Sequence, residues 1–229
     1  MNFILLIKER KINEKKSEHI RNILIAASAA IPIAGGPIAV ILDKYLPNEF
    51  EERKNNLITA LSEDLENIKD QISIERLQSK EYLTFFIKIL RHSMEEHRKE
   101  KTIAFRNILI NEAISKSNDF DETTMYIRLI NDLTIDQIRI LHYIYQKKLV
   151  GHCNTNAEIN IYKELKKLWT EVDYHYLLAC VTELIRFFII TSSSEILVNS
   201  KTEKGHALTS FGERFVKHIF SPIKIDKVT

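Results

Sequence analysis

The side chains that most often carry metal and nucleophile chemistry are widely spread along this 229-residue chain. Zinc sites use short ligand spacings such as Cys-x-x-Cys or His-Glu-x-x-His. No such spacing joins the candidate ligands, which are His142, His152, Cys153, His175 and Cys180. The sequence also has no Gly-x-Ser-x-Gly nucleophile elbow, no P-loop and no Rossmann glycine fingerprint. We therefore expect no metal, no cofactor and no small-molecule substrate.

One arginine and one histidine have a spacing that is associated with catalysis. In the run Arg91-His-Ser-Met-Glu-Glu-His97, a polar residue follows the arginine and a histidine lies six positions on. This spacing resembles the loose motif of the HEPN ribonucleases, in which the two residues act on the scissile phosphate. The resemblance implies that His97 is a general acid or base and that Arg91 stabilises the phosphorane charge. A charged run on an exposed helix explains the same residues equally well, and both interpretations stay open.

The composition predicts a packed protein whose net charge produces no strong electrostatic field. Hydrophobic residues make up 45% of the chain, which is enough for a core, and charged residues make up 28% with a net charge of +2. Binding to nucleic acid or anionic lipid would therefore have to be local. Two distant cysteines suit a reducing compartment. We expect a cytoplasmic protein, with membrane association as an open alternative.

The most unusual part of the chain is the apolar segment 22–42 (NILIAASAAIPIAGGPIAVIL), which has 21 residues and no charge. Its length permits a membrane-spanning helix, but the prolines and glycines at its centre divide it into two short arms. We expect a helical hairpin that either packs inside the core or enters a bilayer when released. In the second case the membrane-active residues are Ile31, Pro32, Gly35, Gly36, Pro37 and Ile38.

Apolar residues at helical spacing predict an antiparallel helical bundle in the rest of the N-terminal half. From Leu57 to Ile72 they recur at intervals of four, four, three and four residues. A second helix is predicted from about Ser79 and a third around Ile103. The charged run Glu95–Lys101 separates these two helices.

A second domain is predicted after the polar, turn-prone run Ser115–Thr124. We place the boundary there, with an N-terminal helical domain over 1–118 and a second domain over 125–229. Thr134, with Gln137 three residues later, predicts the start of a helix. The predicted elements are helices over Leu133–Tyr145, Glu158–Thr170 and Asp173–Phe188, strands over Phe187–Thr191, Glu195–Asn199 and His206–Thr209 around a Lys201–Gly205 turn, and a helix over Ser210–Phe220.

The order of three helices, strand, turn, strand and helix resembles a winged helix with a C-terminal extension. The tail from His206 to Ile219 (HALTSFGERFVKHI) is similar to the ending of many bacterial winged-helix proteins. The resemblance implies that Leu208 packs inward and that Thr209 caps the last helix. It also implies that Phe215 and Ile219 return to the core. The predicted fold class is therefore mainly α, with an N-terminal helical bundle and a winged-helix-like C-terminal domain.

Looser motifs extend over the whole chain. They are the apolar run Ile31–Ile38, the stretch Leu46–Arg53, the segment Glu100–Asn107 and the winged-helix end. Together they are similar to a group of bacterial proteins, some of which resemble the abortive-infection alpha type linked to phage defence. The resemblance implies a cytosolic or membrane-associated protein that acts through partners, and it transfers no catalytic residue. Our preferred hypothesis is a non-enzymatic, partner-regulated component of bacterial defence. In one version of this hypothesis, the apolar hairpin makes the protein membrane-active.

DNA binding is the main alternative, because a winged helix can place its third helix in the major groove. Here the corresponding helix, Tyr174–Phe188, offers Arg186 and His175 beside Glu183 and is otherwise apolar. We therefore rank interaction with a protein partner or a second copy first, DNA binding second and ribonuclease activity third. The residues that would contact nucleic acid are Lys163, Lys166, Lys167, Arg186, Lys201 and Lys204.

Overall fold

The computed structural model describes residues 16, 18–27, 47–115, 119–147, 161–192, 196–198, 201–203 and 206–220. Within these residues the chain is mainly helical, which confirms the coarser part of the predicted fold class. It divides into two compact units, and the division falls between Asn131 and Asp132.

The N-terminal unit consists of packed helices. Residues 18–27 form α1. The elements that follow are α2 (Pro47–Asn67), a 3-10 turn (Lys69–Gln71), α3 (Ile74–Leu77), α4 (Lys80–Glu95), α5 (Lys99–Ile114) and α6 (Phe120–Asp132). Helices α2, α4 and α5 pack against one another. The apolar positions predicted from Leu57 to Ile72 are all buried, but only the first three lie on α2, because this helix ends at Asn67 and Ile68 and Ile72 flank the 3-10 turn.

Helix α6 begins inside the run that the sequence presents as turn-prone. The Asp119 carboxylate accepts a hydrogen bond from the Glu122 amide at 2.9 Å, which caps the start of the helix. The Phe120 ring stacks on Phe85 with centroids 5.0 Å apart. The ring contact joins α6 to α4, and the compact division lies after Asn131.

A buried ion pair joins α3 to α5. The Arg76 Nη2 lies 2.9 Å from Glu112 Oε2, and the two side chains are only 12% and 6% exposed. Arg76 Nε also donates to the Glu112 backbone carbonyl at 3.0 Å. The Thr123 hydroxyl of α6 donates to Glu112 Oε1 at 2.7 Å. A carboxylate that has lost its water depends on such partners, so Glu112 holds three helices together.

The C-terminal unit contains α7 (Ile135–Gln146), α8 (Ile161–Leu168), α9 (Tyr174–Arg186), four short strands and α10 (Ser210–Phe220). The predicted start of α7 is confirmed as a capping box. The Gln137 amide donates to Thr134 Oγ1 at 3.2 Å, and the Thr134 amide donates to Gln137 Oε1 at 2.7 Å. Asp173 caps α9 in a similar way by accepting from the Tyr176 amide at 2.9 Å.

The strands form two antiparallel pairs. β1 (Ile190–Ser192) pairs with β4 (His206–Leu208), and β2 (Ile196–Val198) pairs with β3 (Lys201–Glu203). The sequence predicted a turn from Lys201, and the presence of β3 corrects that prediction. Cross-strand pairing with the apolar β2 outweighs the low strand propensity of lysine and glutamate.

The last helix begins as the tail sequence implied. Leu208, Phe215 and Ile219 are fully buried. Thr209 Oγ1 accepts from the Gly212 amide at 2.8 Å and donates to the Phe188 carbonyl at 2.6 Å. A Cβ atom on Gly212 would lie 1.8 Å from the Ile189 carbonyl oxygen. The glycine in this tail is therefore required by the close approach of α10 to the residue that precedes β1.

We expect Glu112→Gln to lower the free energy of unfolding by about 3–5 kcal/mol, because it leaves the Arg76 charge buried without its carboxylate. Chemical denaturation followed by circular dichroism measures this. The matched control is Glu66→Gln, which breaks the more exposed pair with Lys69 and should cost about 0–1 kcal/mol. Equal costs for the two variants would contradict the structural role of Glu112.

Gly212→Ala should lower the free energy of unfolding by about 3 kcal/mol, because the new methyl group must displace backbone rather than a flexible side chain. Thermal unfolding measures the loss. The control is Lys217→Ala on the exposed side of the same helix, with an expected change of about 0.5 kcal/mol or less. If Gly212→Ala left the free energy of unfolding unchanged, α10 would not approach Ile189 so closely.

Candidate functional site

Two surfaces among the described residues have features that suit binding, one in each unit. The first is a cleft of about 400 Å³ in the N-terminal unit, which we call the α2–α5 cleft. Its lining residues are Arg53, Asn56, Leu57 and Ala60 from α2, Lys99, Thr102, Ile103 and Arg106 from α5, and Ser93, Glu96 and His97 between them. On both helices the lining residues follow the spacing i, i+3, i+4 and i+7, so each helix contributes one face.

Glu96 organises the turn between α4 and α5. Arg98 donates to both of its carboxylate oxygens at 2.7 Å, and the Arg98 amide donates to Oε1 at 3.0 Å. Burial opposes ionisation of Glu96, but these hydrogen bonds and the charges of Arg98 and Lys101 outweigh it and lower its pKa to about 2. The carboxylate is therefore ionised throughout the neutral range. The positive charges of Arg98 and Lys101 balance the negative charge of Glu96.

The two residues of the HEPN-like spacing have different surroundings. His97 lies at the edge of the α2–α5 cleft with its side chain 74% exposed, and its Nδ1 is 3.8 Å from Glu96 Oε1. Arg91 is exposed on α4 and is not among the described residues that line the cleft. The ribonuclease roles of these two residues stay a prediction.

Two buried polar atoms beside the α2–α5 cleft lack a hydrogen bond among the described residues. Ser93 is 2% exposed, and its hydroxyl has no partner. Arg106 Nε lies 2.7 Å from Asp64 Oδ2 without hydrogen-bond geometry. Burial raises the pKa of Asp64, and the Arg106 charge counteracts it only in part. Both Ser93 and Arg106 line the cleft, but the Ser93 hydroxyl and Arg106 Nε are themselves closed to solvent.

The second surface is the solvent side of α9, which we call the α9 surface: Tyr174, His175, Leu178, Ala179, Arg186 and, just beyond the helix, Phe188. All six residues are exposed. Tyr174 is 44% exposed, Leu178 37% and Phe188 74%, and Phe188 has a backbone φ of 55°. The opposite side of α9 packs into the core through Leu177, Cys180, Val181 and Leu184.

The predicted nucleic-acid residues differ in their surroundings. Lys166 lies above the Tyr174 ring, with Nζ 5.9 Å from the centroid. Lys167 forms an ion pair with Glu164 at 2.6 Å. Arg186 is exposed on α9. The side chains of Lys163 and Lys201 and the whole of Lys204 lie outside the described residues.

The apolar segment 22–42 is described only over 22–27, where it is helical and buries Leu24. The predicted membrane-active residues Ile31, Pro32, Gly35, Gly36, Pro37 and Ile38 lie outside the described residues. Of the helices that the structure describes, none combines the length and the apolarity that a membrane crossing needs. The described residues likewise contain no group of three His, Cys, Asp or Glu side chains placed to hold a metal ion.

No family model, curated protein or solved structure matches the chain. The cationic lining of the α2–α5 cleft, with Arg53, Lys99 and Arg106, was missed by the sequence analysis. The available signal was the matching i, i+3, i+4, i+7 series on two helices. Only the structure shows that these two series face the same cleft.

The stability provided by Glu96 should depend on pH. Its folded pKa of about 2 lies below the ordinary value of 4.5, so its contribution is present above pH 4.5 and is lost as the pH falls towards 2. The free-energy difference between wild type and Glu96→Gln should therefore shrink over that range in urea titrations. Arg98→Gln, which removes the main donor, should reduce the same pH dependence. A difference that stays constant from pH 5 to pH 2 would contradict this assignment.

Proposed function

We propose that the chain is a non-enzymatic interaction protein whose C-terminal unit is winged-helix-like and binds a protein partner through the α9 surface. The observation that carries the proposal is the exposure of Tyr174, Leu178 and Phe188 at this surface. Burial of aromatic and aliphatic side chains is the main source of free energy in protein association, and tyrosine is common in its strongest contacts.

The order of elements supports a winged-helix-like arrangement. Three helices, α7 to α9, precede the strands, and α9 leads directly into β1. The first and last strands pair antiparallel, as do the two strands between them, and α10 follows. In a winged helix the third helix is the one presented to the binding partner. On this arrangement α9 takes that position.

The charges around α9 favour protein over DNA. Contact with phosphates requires several free cations, because most protein–DNA hydrogen bonds go to the backbone. The exposed residues of α9 include Arg186 and His175 but also Glu183. Lys167 on α8 is already paired with Glu164 at 2.6 Å. We therefore rank DNA binding second, supported by the order of elements and by the basic residues of α8.

We place the partner in bacterial anti-phage defence. This part of the proposal is supported by the resemblance of the chain's motifs to proteins of the abortive-infection alpha type. A second copy of the chain is the simplest partner, and a separate regulatory protein is the other. Membrane activity of 22–42 and ribonuclease activity of Arg91 and His97 stay predictions from sequence.

The single substitutions Leu178→Lys and Ala179→Lys test the proposal, because the two functions respond to them in opposite directions. A protein interface should lose about tenfold in affinity, since a lysine must be desolvated against an apolar contact. A DNA reader should instead gain salt-sensitive affinity from the added cation. Sedimentation velocity measures self-association, quantitative co-purification from the natural host measures partner binding, and retention on duplex DNA measures the alternative.

The control is Gln146→Lys, which adds the same charge at an exposed position of α7 and should change neither protein association nor DNA retention. DNA retention that increases in the two α9 variants, with no change in any protein complex, would replace the proposal by the DNA-binding alternative. Protein association that is equal in wild type and both variants would remove the α9 surface from consideration.

A further inference from the structure

The two ends of α9 carry exposed charges of opposite sign. Glu171 and the capping residue Asp173 stand before the helix, and Arg186 is its last residue. Among the described residues, neither Glu171 nor Arg186 has an ion-pair partner. The 13 residues of α9 span about 20 Å at the rise of an α-helix, which is too far for the charges of one copy to pair with each other.

Two copies of α9 in antiparallel orientation would satisfy these charges. In that orientation the acidic end of each helix lies beside Arg186 of the other copy, whereas a parallel pair would bring like charges together. Arg186 follows Asp173 by 13 residues and Glu171 by 15. The midpoint of these two spacings falls between Leu178 and Cys180, and the exposed residues there are Leu178 and Ala179. The charges therefore place the centre of the pair on apolar side chains.

The apolar residues of the α9 surface fit the same orientation. Leu178 is a large exposed side chain, and Ala179 beside it is small, so a leucine of one copy can pack over an alanine of the other. Tyr174 stands at the beginning of α9 and Phe188 just beyond its end. Reversal of one helix brings Tyr174 of one copy towards the end that carries Phe188 of the other. The pair would thus remove exposed rings from water at both ends.

We propose that the α9 surface binds the α9 surface of a second copy of the chain, as an antiparallel pair with Leu178 and Ala179 at its centre. This inference rests on the proposed function and identifies the partner. The pair has two-fold symmetry, so every contact occurs twice. Glu171 and Asp173 of each copy lie beside Arg186 of the other. The net charge of +2 per chain is small enough that repulsion between whole copies does not oppose the contact.

Exchange of the two charges tests this by sedimentation velocity of the full chain over a range of concentrations. Wild type should form a dimer. Arg186→Glu should weaken dimerisation by about tenfold and Glu171→Lys by about threefold, because each variant places like charges together at both ends of the pair. An equimolar mixture of the two variants should associate more tightly than either variant alone, since one end of the mixed dimer then has the exchanged pair and the other has the original one.

The matched control is Arg128→Glu, which reverses the charge of an exposed arginine in the last turns of α6. This variant should dimerise as wild type does, alone and in a mixture with Glu171→Lys it should give no gain over Glu171→Lys alone. The mixture also separates pairing from an effect on one helix. Acidic residues at the start of α9 and an arginine at its end suit its own dipole, but a change in that dipole alone is not reversed by mixing two variants.

Three outcomes would overturn the antiparallel pair. If wild type stays monomeric while Leu178→Lys loses a separate protein partner in co-purification, the partner is not a second copy and the proposed function stands. If Leu178→Lys weakens the dimer but the mixture of charge variants gains nothing, the α9 surface is kept and the antiparallel orientation is wrong. If Leu178→Lys leaves the dimer intact, the dimer forms elsewhere, and both the pair and the proposed role of the α9 surface fail.

Discussion

The N-terminal unit depends on a carboxylate that is held away from water. Glu112 lies in the middle of the unit and is shared by Arg76 of α3 and Thr123 of α6. Burial, then the charge of Glu112, raises the pKa of the nearby Tyr82, so its phenol stays neutral beside this carboxylate. Because both partners of Glu112 belong to other helices, the position of α5 is fixed from two sides. The α2–α5 cleft is formed by another part of this same helix.

Elements with local signals could be predicted from the sequence, whereas elements made by distant contacts could not. The Thr134 and Gln137 capping box involves residues three apart, and it is found as predicted. The packing of α6 on α4 depends on a ring contact between Phe120 and Phe85, which are far apart in the chain. β3 likewise forms because β2 pairs with it. The secondary-structure propensities of the residues alone predict a turn at the start of α6 and at β3. Contacts with distant parts of the chain outweigh these propensities.

The α2–α5 cleft illustrates the same limit for function. Residues 107–113 of α5 are all buried, which covers every side of the helix and removes the two-sided pattern that sequence analysis relies on. The polar residues before them consequently appear as an ordinary charged run. Their place in a cleft depends on α2 lying opposite, and the turn before α5 depends on the hydrogen bonds from Arg98 to Glu96. Residue spacing shows one matching face on each of the two helices, but it does not show that these faces lie opposite each other.

The backbone of Phe188 is strained in the folded C-terminal unit. Its φ of 55° lies in the left-handed region, where a residue with a side chain loses about 1–2 kcal/mol relative to its preferred backbone and glycine loses almost nothing. Its carbonyl accepts the Thr209 hydroxyl and so holds this conformation between α9 and β1. An aromatic ring that is 74% exposed thus occupies a position where glycine would make the isolated fold more stable. Under the proposed function, a partner that covers this ring would offset that cost.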